Sequence, residues 1–396
     1  MKRILLICNQ NNNFFALTRY LRDRGYDANL YLMKEEFDHF RPEKDSYNEN
    51  YKEFVYDSFL SMLPTGFYLI PKKQIKNAIA GYDFIIGCGL APAYLNKIGF
   101  KLDLFIPYGT DLDYQPFLRR KKIFTRKILK VMFVTYHQKL GIRNSKYLML
   151  PKTNNIYKSY YNDIHHKGKL ISSTIPFIYD KQYEKNAMKN YIKSSRNKFI
   201  LSMIELRKTS DFIVFHHVMH LMQKHNPLRY KGNDKLIRGF EKFIQNNKSI
   251  NPSLVLFEYG VDVEKSKRLV KKLNIEKYVK WFPLTYRKYI MAGIELCDVG
   301  VAELSDISWI TYSTVCEFMC MSKPIITYRE DALYEADYDY LYPIMNASTA
   351  DDVASALKKI YSDNELSSKM GRECKEWFNK YLVGEGLQEI INAIES

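Results

Sequence analysis

The stretch Glu317-Phe318-Met319-Cys320-Met321-Ser322-Lys323-Pro324-Ile325-Ile326-Thr327 decides the architecture. Its apolar first half ends a helix that starts near Ser313 and stops at about Met321, because Lys323-Pro324 cannot continue it. Pro324–Thr327 then reads as a strand, a β-branched run too short for a helix. Just upstream, Val299–Ala302 is a second short apolar run. Strand, helix and strand in close succession are the grammar of a parallel sheet covered by helices.

The same alternation extends in both directions. Phe212–Phe215 and Leu254–Phe257 are strands, and Leu236, Ile237, Phe240, Phe243 and Ile244 form a helical stripe behind Asn233 and Asp234 as capping residues. A helix near Asp262 carries Leu269, Val270 and Leu273, and Asp351 and Asp363 cap two final helices. In the first half, Arg3–Cys8, Ala28–Leu32, Phe84–Gly87 and Leu102–Ile106 are strands. Phe14, Leu17 and Leu21 mark a helix that Gly25 ends, and Ala91–Ile98 is another helix. A polar stretch around residues 172–195 separates the halves. The expected domains are 1–175 and 176–396, with the last helix free to pack back on the first. The expected fold class is α/β, two Rossmann-like doubly wound domains facing a cleft. Ligands then belong beyond the carboxyl ends of the strands.

Composition narrows the function. At 396 residues the chain is too long for one ordinary core. With 60 Lys+Arg against 44 Asp+Glu, its net charge of +16 favours anionic partners. No nucleic-acid module is visible, so no nucleic acid is expected. The apolar run at Ile4–Cys8 is too short for a signal peptide, and Ala78–Asn96 contains Asp83 and Pro92, so it does not read as a membrane span. Six scattered cysteines without a C-x-x-C fit reduced buried thiols, and a cytoplasmic location is expected.

From Glu317 through Ser322, Lys323 and Pro324 to Ile326 the spacing resembles the signature of retaining GT-B glycosyltransferases of the family 4-like group. Lys231-Gly232-Asn233-Asp234, with Leu236, Ile237 and Phe240, resembles that family's K-G-x-D helix opening. Leu254–Gly260, Val279–Pro283 and Cys297-Asp298-Val299 resemble its following strands. The resemblance runs over about residues 212–330. It implies that Lys231 grips a donor diphosphate and that the helix N-terminus at Tyr312-Ser313-Thr314 offers it free N–H groups. It also implies that Glu317 accepts hydrogen bonds from a ribose diol, and that Gly260 and Pro283 line the donor pocket.

The chain departs from the pattern in three places. Trp309 stands where a second glutamate is usual, with Glu303 and Asp306 as nearby substitutes. The usual arginine before K-G is absent, leaving His217, His220 or Arg229 to supply its charge. Asn9 to Asn13 replace the first loop's glycines. Asn tolerates left-handed backbone, and Asn13 is a further candidate phosphate contact.

In the first domain, Pro107-Tyr108-Gly109-Thr110-Asp111 follows a strand, and Asp111 is the candidate catalytic residue contacting the acceptor. The conservative reading is an Asx turn capping a helix. The triplets Asp111-Leu112-Asp113 and Asp337-Tyr338-Asp339 and the pair His216/His220 lack the partners a metal site needs, so no metal and no cofactor beyond the nucleotide-sugar substrate are expected. Leu118–Lys130 holds seven Lys/Arg and no acid. Arg119, Arg120, Lys121, Lys122, Arg126 and Lys127 there suit an anionic membrane surface. The expected activity is metal-independent transfer of a sugar to a lipid-linked or polysaccharide glycan acceptor in surface polysaccharide biosynthesis, peripheral on the inner membrane face. The alternatives are a non-catalytic carbohydrate- or nucleic-acid-binding relative and a nucleotide-sugar epimerase of the same fold.

Overall fold

A computed structural model of the protein describes residues 2–117, 126–153, 155–223 and 230–396. They form two compact units, Met1–Tyr179 with Tyr381–Ser396, and Asp180–Lys380. In the first unit seven strands make one parallel sheet: β1 (Arg3–Ile7), β2 (Asp27–Lys34), β3 (Val55–Ser61), β4 (Phe84–Gly87), β5 (Leu104–Phe105), β6 (Tyr147–Leu150) and β7 (Lys169–Ser172). Their order, β3-β2-β1-β4-β5-β6-β7, reverses direction between β1 and β4. Ile4, Leu5, Leu6 and Ile7 are all buried, because helices cover both faces of a parallel sheet. Leu387, Ile390, Ala393 and Ile394, from the helix Leu387–Glu395, join this core.

The second unit holds a six-stranded parallel sheet of β8 (Phe212–Phe215), β9 (Pro252–Glu258), β10 (Val279–Pro283), β11 (Val299–Val301), β12 (Ile325–Thr327) and β13 (Met345–Asn346). Its order is β10-β9-β8-β11-β12-β13, with the reversal between β8 and β11. The Asn233–Asn246 helix buries Leu236, Ile237, Phe240 and Phe243 against it. Each such side chain contributes about 1.5–3 kcal/mol of transfer free energy. Among the described residues no helix is long and apolar enough to cross a membrane. All six cysteines are buried thiols.

The sheets match the expected α/β class, but several elements differ from the sequence reading. Strands β3, β6, β7 and β13 were not anticipated. Three of them are sheet edges with mostly exposed or half-exposed residues, so they lack the apolar run that marks a central strand. Asn233 and Asp234 do not cap their helix. Left-handed Gly232 (φ +72°) opens it, Asn233 Oδ1 accepts from the Leu221 amide at 3.0 Å, and Asp234 accepts from the Tyr230 hydroxyl at 2.9 Å. Thr349 rather than Asp351 caps the Ala350–Ser362 helix, in a capping box with Asp352. Asp363 does cap its helix, accepting from the Leu366 amide at 2.9 Å. Beyond that helix a π-helical segment, Phe378–Gly386, carries the chain back to the first unit.

Lys323 has a structural task. Its ammonium donates to the carbonyls of Glu295 and Cys297, both at 2.8 Å, at the carboxyl end of the Arg287–Glu295 helix. A cation there satisfies orphan carbonyls and opposes the helix dipole. Lys323→Met should lower the unfolding free energy by about 1–3 kcal/mol, the range for charge-assisted bonds. Urea unfolding that leaves the two proteins superimposed would remove this role.

Candidate functional site

The loops at the carboxyl edge of the second sheet collect charged side chains where the strand order reverses. Directly after β8 come His216 and His217, and after β11 comes Glu303. His216 is fully buried; its Nδ1 donates to the Val301 carbonyl at 2.8 Å and its Nε2 accepts from Asn233 Nδ2 at 3.0 Å. Burial pulls its pKa down to about 3, so it stays neutral and ties β8 to β11.

Lys231 closes the same loop. Its amide donates to the Leu221 carbonyl at 2.9 Å and its carbonyl accepts from the Leu304 amide at 3.1 Å. Its ammonium lies 2.7 Å from the Glu303 carboxylate, with the two side chains 23% and 16% exposed. That pair remains reachable by a ligand. Tyr312 buries its hydroxyl behind it, accepting from the Glu303 amide at 2.9 Å and lying 2.7 Å from Thr327 Oγ1. Tyr312 is therefore a strut. Ser313 and Thr314 open the Ser313–Cys320 helix with no acid in its first turn and no side-chain cap on its amides, and Thr314 Oγ1 has no hydrogen-bond partner.

Glu317 lies on that helix with its side chain only 7% exposed. One oxygen is held by His217 Nε2, and the other accepts from Arg287 Nε at 2.8 Å. Burial pushes the carboxyl up, but the charges and hydrogen bonds of His217 and Arg287 outweigh it and hold the pKa below its ordinary value. The carboxylate is thus committed to two cationic or proton-donating side chains, not open to a diol as the resemblance implies. His217 keeps its Nδ1 without a partner. Arg287 was missed from the sequence.

Other candidates take structural places. His220 is buried, bonds Ser266 Oγ through Nδ1 at 2.7 Å, and has its pKa lowered by burial to about 4. Gly260 (φ +115°) lies against it so closely that a Cβ would sit 2.5 Å from the His220 carbonyl oxygen. His220 is therefore no open phosphate contact, and Gly260 is required for loop packing. Pro283 ends β10, two strands away from β8, and is exposed. Asp306 bonds Lys235 at 2.8 Å, leaving Glu303 as the acid beside Lys231. Arg229, Arg119, Arg120, Lys121 and Lys122 lie outside the described residues. Arg126 and Lys127 begin the Arg126–Asn144 helix. Among the described residues no three His, Cys, Asp or Glu side chains gather as a metal-ligand set.

In the first unit, Asn11 (φ +54°) and Asn12 (φ +59°) take the left-handed backbone expected of them. Asn9 fixes this loop, accepting from the Phe15 amide at 2.9 Å and donating to the Phe40 carbonyl at 2.6 Å. Asn13 is 8% exposed, and its Oδ1 has no partner. Asp111, the candidate catalytic residue, is fully buried, and its carboxyl accepts from the amides of Gly89, Gly109 and Tyr108 at 2.9, 3.0 and 3.1 Å, so it shapes the loop. Burial pushes it up to about 7 against those amides. Glu36, missed from the sequence, accepts from the Asn9 and Met33 amides and is likewise raised by burial to about 7.

No protein-family model matches the chain, and no curated protein sequence matches it. Solved structures do. Sucrose-phosphate synthase from Thermosynechococcus elongatus superimposes with a TM-score of 0.59 at 14% identity, covering 100% of this chain and 98% of that one. Anabaena Alr3699/HepE, in complex with UDP-glucose, gives 0.61 at 12% identity over 99% of this chain and 100% of that one. WaaG, a glycosyltransferase involved in lipopolysaccharide biosynthesis, gives 0.54 at 12% over 98% and 99%. These structural neighbours are GT-B glycosyltransferases, and the chain has the GT-B fold.

The Asp111 geometry has a pH consequence. The folded chain keeps a proton on Asp111 that the unfolded chain releases near pH 4, so this group's contribution lowers stability as pH rises from about 4 to 7. Relative to Asp111→Asn, the wild type should therefore lose unfolding free energy between about pH 5 and pH 7. A difference between the two proteins that is flat across that interval would mean an ordinary carboxyl pKa.

Proposed function

We propose that the chain is a nucleotide-sugar glycosyltransferase that acts with retention of configuration and without an obligatory metal. The acceptor is a lipid-linked or polysaccharide glycan of surface polysaccharide synthesis, met at the cytoplasmic face of the membrane. One observation carries the reading. Lys231 and His217 in the segment after β8, the open N-terminus of the Ser313–Cys320 helix after β11, and Arg287 at the start of the helix after β10 all stand at the carboxyl edge of the second sheet. That is where doubly wound sheets bind ligands, and the uncapped helix amides together with the reachable Lys231 ammonium suit a diphosphate. The neighbouring folds captured with UDP-glucose or, for S. aureus MnaA, with UDP support the choice of donor.

On this reading the diphosphate oxygen departs from the anomeric carbon as the acceptor oxygen bonds to it on the same face. The acceptor proton leaves with the diphosphate. Lys231 and the helix amides stabilise the charge that develops on the leaving group. Asp111 is walled off by its amides, so no side-chain base is assigned. Glu317 holds His217 and Arg287 beside the donor.

Lys231→Ala should weaken nucleoside-diphosphate binding by about 1.5–3 kcal/mol in calorimetric titration against a panel of nucleotides and nucleotide sugars. Unchanged affinity would take Lys231 out of the site. Tight donor binding with neither transfer nor donor hydrolysis would instead favour the non-catalytic relative.

A further inference from the structure

We propose that the first unit docks on an anionic lipid bilayer through an apolar face built where the Pro64–Leu69 and Arg126–Asn144 helices pack. The inference rests on the reading of a lipid-linked acceptor and identifies the surface that would meet it. Tyr68 and Leu69 on the shorter helix are 53% and 66% exposed, and Leu129, Met132 and Tyr136 on the longer one are 66%, 44% and 60% exposed. Positions 129, 132 and 136 fall on one helical stripe, whereas Val134, Gln138 and Ile142 on another face of the same helix are buried. Phe133 joins the two helices, its ring 5.7 Å from Tyr68 and 5.7 Å from the buried Phe67. The exposed side chains are therefore neighbours on one surface, not scattered singles. Large apolar side chains exposed side by side, and not singly, are the feature that marks an interaction surface.

The surrounding charge selects the occupant. Residues 114–162 contain twelve Lys/Arg and no Asp or Glu, and residues 62–82 contain three Lys and no acid. Lys130 Nζ lies 5.8 Å from the Tyr68 ring centroid. Large apolar side chains flanked by lysines match a leaflet with anionic headgroups over hydrocarbon, and the Glu35 carboxylate near the start of the Pro64–Leu69 helix is engaged by Ser61 Oγ and the Met62 amide. The tyrosines suit the boundary between the two, with rings toward the apolar layer and hydroxyls toward water. With no described helix able to cross a bilayer, the face lies on the membrane. This face supplies the apolar contact that charge alone lacks.

The full chain should co-sediment with vesicles of equimolar phosphatidylglycerol and phosphatidylcholine, more weakly with phosphatidylcholine alone. The pair Leu69→Gln and Leu129→Gln should lower that partitioning about tenfold or more. Its thermal unfolding and nucleotide titration should stay as in the wild type, which keeps loss of fold apart from loss of docking. A separate Leu129→Trp variant should gain fluorescence quenched by lipids brominated along the acyl chain. Three results overturn the proposal: a wild type that ignores anionic vesicles at low salt, a double variant that partitions normally, or a double variant whose only change is lost self-association. If vesicles are bound normally but no nucleoside diphosphate is, the glycosyltransferase reading falls and the docking face stands.

Discussion

A carboxyl that stays ionised inside a protein must be matched by opposing charge, because its desolvation costs several kcal/mol. Glu317 is that carboxylate, and the candidate site depends on how it is matched. His217 reaches it from the loop after β8, and Arg287 reaches it from the helix after β10. The Ser313–Cys320 helix, the β8 loop and the Arg287–Glu295 helix are thereby tied through one side chain. Removing both partners would leave the buried charge uncompensated, and breaking such a buried pair costs about 3–5 kcal/mol. Glu317 therefore fixes the position of the cations in the site, whatever they bind.

The first unit handles its buried carboxyls differently. Asp111 and Glu36 are held by backbone amides, and burial raises both toward neutrality. Amide dipoles supply directional hydrogen bonds but no full opposing charge, so burial prevails. Glu317 faces the same burial and ends below its ordinary pKa because His217 and Arg287 oppose it. The two sheets share a topology with a single reversal, and at the second sheet's carboxyl edge Lys231 stands beside Glu303 and Arg287 beside Glu317.

Legibility in the sequence followed burial. Residues 4–7, Phe212–Phe215 and Val299–Val301 are shut in on both faces and read as short runs without a polar side chain. Val55–Ser61 and Lys169–Ser172 lie at edges and carry polar residues that hide them. Within the site, Lys231, Glu317 and the Ser313-Thr314 helix start were singled out through the family resemblance, and the structure sets Lys231 beside Glu303 and Glu317 between His217 and Arg287. Arg287 was not, since its partner lies thirty residues on in sequence. One sign of it was present. A cation at the first position of a helix opposes the dipole, and that helix has no acid in its first turn. Such a placement calls for a carboxylate from elsewhere. The Asp111 motif was legible too, but the direction of its carboxyl depends on Gly89, whose amide it accepts from across twenty-two residues.

The pairing of Lys231 with Glu303 bears on what the site can select. Glu303 is fixed through its main chain, with its amide on the Tyr312 hydroxyl and its carbonyl accepting from Thr327 Oγ1 at 2.8 Å. Its carboxylate is therefore held beside the lysine, and an incoming anion must outcompete it. A monoanion gains little by the exchange, since it offers no more charge than the carboxylate already there. A nucleoside diphosphate carries more charge, and it can extend beyond Lys231 to the uncapped amides of the Ser313–Cys320 helix, which Glu303 does not occupy. On the donor reading, the resting ion pair acts as a filter against small anions while leaving the site open to a diphosphate.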